Sequence, residues 1–174
     1  MPKFDKQRLI FGLYLLVLIA AFELVTGHLE LPAWPAFIAM IFFFVEHMDI
    51  KKAPHILAGG AFGIALILLA RPMIGVLAPV LGVEFARLAY ILILVYAIVA
   101  FGEMVPLLFN NYAFLYFTVT GLAVQLPNPN PFLWMGIALV GGAVLIAGVV
   151  GIGKLMMAQA VSKAAAAPAS TSEG

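Results

Sequence analysis

Cysteine is missing from this chain of 174 residues, and charge is scarce, with Asp, Glu, Lys and Arg making up only 10%. Without a thiol there can be no disulfide, thiolate metal site or cysteine nucleophile. Without charge there can be no large water-facing surface, because a soluble domain carries roughly a quarter charged residues. A net charge of +1 gives no support to a nucleic-acid partner. Catalytic patterns are also lacking: no Ser-His-acid set, no glycine-rich phosphate loop after a strand, no HExxH. The three histidines, His28, His47 and His55, lie at the ends of apolar runs without shared spacing. These absences argue against an enzyme and leave no residue set for a cofactor or a metal.

Apolar residues are abundant, at 65% of the chain, with a mean hydropathy of +1.15. Crossing a hydrocarbon core of ~30 Å takes about 20 such residues in a helix. Six candidate spans follow: 9–27, 33–49, 54–71, 86–106, 110–126 and 131–153. The second candidate is short and could be tilted or re-entrant, and the segment "PMIGVLAPVLG" (72–82), with two prolines and two glycines, is expected to be a loop that lies at the interface or dips into it. The chain therefore reads as an all-α integral membrane protein in contact with the lipid bilayer. With the N-terminus inside, Lys3, Lys6, Arg8, Lys51, Lys52, Lys154 and Lys163 fall on the cytoplasmic side, and Arg71 and Arg87 on the other. That bias sets both termini in the cytoplasm. Residues 1–8 form the N-terminus, and residues 156–174, small and polar, are expected to be a disordered tail.

One internal offset stands out. At 77 residues, Ala36-Phe37 falls on Ala113-Phe114, Pro54 on Pro131 and Gly59 on Gly136. Residues 9–80 and 83–155 then share one order: a long span, a shorter segment with Ala-Phe near its start, a proline, a glycine-rich span. Three spans per half make the halves enter the membrane in opposite directions. The expected fold is six transmembrane helices as two inverted-topology three-helix repeats, a plan common among transporters. Gly59 with Gly63, and the ridge Ala143, Ala147 and Gly151, are expected at helix contacts.

The fifth span carries Asn111, Phe114, Thr118, Gly121 and Gln125 at spacings that share one helical face. Buried amides and hydroxyls need partners, so this stripe is expected to face the interior or a wetted path. The offset maps it onto Trp34, Phe37, Ile41, Phe44 and Met48. A path lined by Trp34, Phe37, Phe44, Asn111, Phe114, Thr118 and Gln125 suits a small uncharged polar solute that stacks and hydrogen-bonds. Acids within or beside the spans, Glu23, Glu46, Asp49 and Glu103, form a possible gate or ion site and carry the rival reading, a proton- or cation-linked transporter. Glu46 and His47 are adjacent and diverge on a helix, which disfavours a metal. Interfacial anchoring or pairing with a lysine remains open for Glu46. A third reading is a non-catalytic subunit of a larger membrane complex.

The segments "LPAWPAFIAMIFFFVEHMDIKKAPHILAGGAFGIALILLA" and "FNNYAFLYFTVTGLAVQLPNPNPFLWMGIALVGGAVL" resemble the two halves of the bacterial inner-membrane proteins grouped as domain of unknown function 1097. Trp34 with Phe37, and Phe114 followed by Thr120-Gly121, carry the resemblance. Asn110-Asn111 stands where that pattern has Pro-Gly, and Glu46 and Asp49 lie outside it. Each half also distantly resembles part of the urea-transporter fold, in which phenylalanines flank a narrow slot. The resemblance implies a small-solute channel in a bacterial inner membrane; the path lining suits urea or a short amide. A homo-oligomer is expected because a bundle of 174 residues with small-residue ridges has limited internal surface for a sealed pore.

Overall fold

Hydrocarbon offers no hydrogen bonds, so a chain this apolar must satisfy its backbone internally, and helices do so within one segment. The computed structural model describes residues 6–165, with side chains through Ser162; Lys3, most of the tail and the side chain of Lys163 lie outside the described residues. Every regular element described is helical: α1 (Lys6–His28), α2 (Trp34–Val45), α3 (Ala53–Leu81), α4 (Val83–Phe101), α5 (Asn111–Ala123), α6 (Pro131–Gly136) and α7 (Gly142–Ala165). A 3-10 turn (Ile50–Lys52) leads into α3, and a π-helical turn (Ile137–Gly141) joins α6 to α7.

Four of these units, Lys6–His28, Ile50–Leu81, Val83–Phe101 and Pro131–Ser162, are long and apolar enough to cross a membrane. The other two expected spans are shorter than anticipated. With 12 residues in α2 and 13 in α5, each rises only ~18–20 Å. The expected loop at 72–82 is instead helical to Leu81, with Pro72 and Pro79 inside α3. Prolines are tolerated in such helices because neighbouring groups satisfy the freed carbonyls. Gly82, at φ 77°, makes the break that starts α4. Beyond α4, residues 102–110 are not helical, although span four was expected to reach 106. At the other end, α7 continues to Ala165, ten residues into the segment expected to be disordered.

Local chemistry fixes where the short helices begin and end. Asn110 accepts a hydrogen bond from the Ala113 N–H at 2.9 Å and so caps α5. Asn130 does the same for α6 through Leu133, with Pro131 at the first helical position. The end of α2 is a Schellman turn: the Met48 N–H reaches the Phe43 carbonyl at 2.9 Å and the His47 N–H that of Phe44 at 3.0 Å. His47 and Met48 both take left-handed backbones, and Asp49 then accepts from the Lys51 N–H to open the 3-10 turn.

Packing is reciprocal between the halves. Helix α3 lies against α4 and α5, while α7 lies against α1 and α2. Gly63 is so close to the Ala113 carbonyl that a Cβ would collide with it, and Gly141 stands tightly against the side chains of Ala36 and Phe22. Ala36 and Ala113 are 77 residues apart, Gly63 and Gly141 78 apart; the π-helical turn accommodates the extra residue. Gly59 at Asn110, Gly63 at Ala113 and Ile67 at Gly121 show that α3 and α5 run in the same direction. Helices α2 and α5 run oppositely, with Tyr112 at Phe42 and Glu46, and Tyr116 at Pro35. The ridge Ala143, Ala147 and Gly151 is exposed; Gly141, Gly142 and Gly148 make the contacts of that unit instead.

Candidate functional site

Helix α5 divides its residues between two faces. Tyr112, Ala113, Tyr116, Phe117, Thr120 and Ala123 are buried. Asn111, Phe114, Thr118 and Gln125 are exposed. Of the two expectations for the polar stripe, a packed interior and a wetted path, the packed interior is not met. Phe114, Thr118, Gly121 and Gln125 instead wall a cleft of about 780 Å³ between α3, α4 and α5. Asn111 is not among its lining residues.

The opposite walls bring in residues that spacing had not singled out. Arg71 from α3 and Arg87 and Tyr90 from α4 line the same cleft. The Tyr90 hydroxyl is turned away from a solute, because it donates to the Leu66 carbonyl at 2.5 Å. Thr118 donates to the Phe114 carbonyl at 2.9 Å, which leaves its oxygen able to accept. Gln125 makes one long contact, 3.5 Å, to the Gly121 carbonyl and keeps its amide oxygen and a further N–H. The cleft thus offers an aromatic face, a hydroxyl, an amide and two guanidinium groups along otherwise apolar walls.

The aromatic residues of α2 are placed elsewhere. Trp34 meets Trp134 edge-on at 5.5 Å, Phe37 packs on Phe22 at 5.7 Å and Phe44 on Phe11 at 6.4 Å. They hold α1 and α6 to α2 and do not line the cleft beside Thr118. The two stripes expected to face each other are not brought together.

The acids are dispersed. Glu46 accepts a hydrogen bond from the Tyr112 hydroxyl at 2.6 Å and so ties the end of α2 to α5 instead of pairing with a lysine. Asp49 is occupied as a turn cap. Glu23 is exposed on α1 in a face where nothing packs near Gly12 or Gly27, and Glu103 is exposed beyond α4. Among the described residues, no three of His, Asp and Glu converge.

Sequence reasoning missed the hydroxyl links between the short helices. Tyr116, almost fully buried, donates to the Pro35 carbonyl at 2.6 Å, and Tyr112 stacks edge-on against Phe42 at 4.8 Å. Their four-residue spacing on α5 was a signal for one face, but the more polar stripe beside it drew the attention. Arg71 and Arg87 were visible as charges and were read only for orientation. Compared with protein-family models, curated proteins and solved structures, the chain matches none.

Proposed function

We propose that this chain is a membrane transport protein made of two inverted three-helix repeats, which passes a small uncharged polar solute of the urea or short-amide class along the cleft between α3, α4 and α5. The observation that carries this reading is the convergence of Phe114, Thr118 and Gln125 on one cleft wall, each polar group retaining hydrogen-bonding capacity. A neutral solute leaving water needs replacement partners, and a hydroxyl and an amide supply them. Arg71 and Arg87 at the same cleft repel cations, as a guanidinium does in other selective pores. The cation-linked alternative draws no such support, since Glu23, Glu46 and Glu103 are far from one another in sequence and role.

The inverted arrangement rests on the exchanged packing of α3 and α7 and on the opposite directions of α2 and α5. The excess of Lys and Arg at Lys6, Arg8, Lys51, Lys52 and Lys154 supports, as part of the same proposal, both termini on the cytoplasmic side of a bacterial inner membrane. A homo-oligomer is part of the proposal, because the exposed ridge Ala143, Ala147 and Gly151 lets a second helix approach closely. Light scattering in mild detergent is expected to give a mass above that of one chain; a monomer at every concentration contradicts this.

Flux into proteoliposomes tests the reading. Urea or a short amide should enter faster than through lipid alone, and Thr118→Val with Gln125→Leu should slow it about tenfold, from two hydrogen bonds at about 1 kcal/mol each with partial compensation by water. Cation flux abolished by Glu46→Gln or Glu103→Gln would transfer the function to the acids.

A further inference from the structure

We infer that the cleft between α3, α4 and α5 also holds an anionic phospholipid, its headgroup phosphate clasped by Arg71 and Arg87 and an acyl chain lying along the apolar wall below. This goes beyond the solute reading: lipid and solute would occupy the same cleft in turn. The first observation is that neither arginine has a partner: among the described residues, no carboxylate pairs with Arg71 or Arg87, although Glu84 lies one turn before Arg87. A guanidinium presents a planar fork of donors suited to phosphate.

The second observation is their common end of the cleft. The Tyr90 hydroxyl meets the Leu66 carbonyl, which fixes the register of the antiparallel α3 and α4. From that contact Arg71 lies five residues onward in α3 and Arg87 three residues back in α4. These are rises of about 7.5 and 4.5 Å in one direction, so both arginines lie on the same side of the Tyr90 contact and line the same cleft. Gly121 faces Ile67, which brings Gln125, a turn further on, level with Arg71. The charged and amide groups gather at one end of the cleft, whereas Ile91, Val95, Phe114 and Phe117 lie toward the other. The result is a polar head and an apolar body, the shape of an amphiphile.

Depth and size agree with a lipid. Lys51 and Lys52 precede α3, and Arg71 lies about 27 Å along the helix from Ala53, near the ~30 Å thickness of the hydrocarbon core. That sets the arginines at the headgroup level of the leaflet opposite the two lysines. A cleft of about 780 Å³ lies within the range of roughly 300–1,000 Å³ that takes drug-sized ligands. A urea-class solute would leave most of it unfilled. Basic pockets between membrane helices bind anionic headgroups by this combination of charge and apolar wall.

Retention of lipid by the purified full-length protein provides the test. Protein in mild detergent is mixed with equal amounts of phosphatidylglycerol and phosphatidylcholine, and bound lipid is counted by native mass spectrometry. Phosphatidylglycerol should be retained at least about tenfold over phosphatidylcholine, whose ammonium the arginines repel. Arg71→Gln with Arg87→Gln should abolish that preference, and Arg71→Lys with Arg87→Lys should keep much of it, which separates loss of charge from misfolding. Thr118→Val should leave retention unchanged while slowing urea flux, so that the lipid site and the solute path can fail separately. Equal retention of the two lipids, or a preference that survives the double glutamine variant, overturns the inference. Displacement of the lipid by an equal concentration of inorganic phosphate also overturns it, because the ligand would then be a free anion.

Discussion

Glu46, His47 and Asp49 end an apolar helix, and each does so by a different chemistry. Asp49 caps the next turn, His47 supplies the left-handed residue of the Schellman turn, and Glu46 receives the hydroxyl of Tyr112. Glycine is the usual residue at the position of His47, because a Cβ makes the left-handed backbone costly. The Tyr112–Glu46 bond is half-buried and links the end of α2 to the start of α5. Tyr112→Phe is therefore expected to lower stability by about 1 kcal/mol, the ordinary net worth of such a bond. Thermal unfolding in detergent, combined with Glu46→Gln in a double-mutant cycle, measures it; additive effects of the two substitutions contradict the link. The residues of this cluster were legible in the sequence, but their partner was not. Nothing in local spacing says that a tyrosine 66 residues away will be the donor to Glu46.

At the scale of elements, the existence of the helices followed from apolar run lengths, and their ends did not. Residues 46–49 carry two acids and a histidine and 124–126 a glutamine, yet both stretches fall inside the expected spans 33–49 and 110–126. The Schellman turn at His47 and the turn after Ala123 stop the helices earlier. Segment 72–82 erred in the other direction, since Pro72 and Pro79 look like breaks and yet lie inside α3. The offset of 77 was legible in Ala36-Phe37, Pro54 and Gly59, and the α2 and α5 starts keep it, at Trp34 and Asn111. The direction in which the Thr118 stripe faces was not legible. A polar row on a membrane helix looks the same whether it meets a buried partner or an open cleft. Gly59 and Gly63 were correctly read as contact residues, and this gives a sharp expectation. Gly63→Ala pushes a Cβ into the backbone carbonyl of Ala113, which cannot move aside as a side chain can. A loss of about 1–3 kcal/mol is expected from such overpacking. Gly12→Ala, where a Cβ meets nothing, should be close to neutral in the same unfolding assay. Equal midpoints for the two variants contradict the close approach of α3 and α5.

At the scale of the whole molecule, α3 is exchanged onto α4 and α5, and α7 onto α1 and α2, so that each half depends on the other for its core. The uncovered sides of α1 and α4 expose Leu13, Val17, Leu92 and Tyr96, as the apolar faces of membrane-embedded helices do. The proposed inverted arrangement, with two halves pointing oppositely, accounts for such an exchange. The chain has no cysteine, so single cysteines can be introduced without background. The most direct measurement is the accessibility of Lys52→Cys, Asn128→Cys and Ser162→Cys to a membrane-impermeant thiol reagent, in intact cells and in inverted vesicles. Inverted repeats predict that Lys52→Cys and Ser162→Cys react only from the cytoplasmic side and Asn128→Cys only from the other. Reaction of Lys52→Cys and Asn128→Cys from the same side would contradict the inverted fold and the path proposed through it.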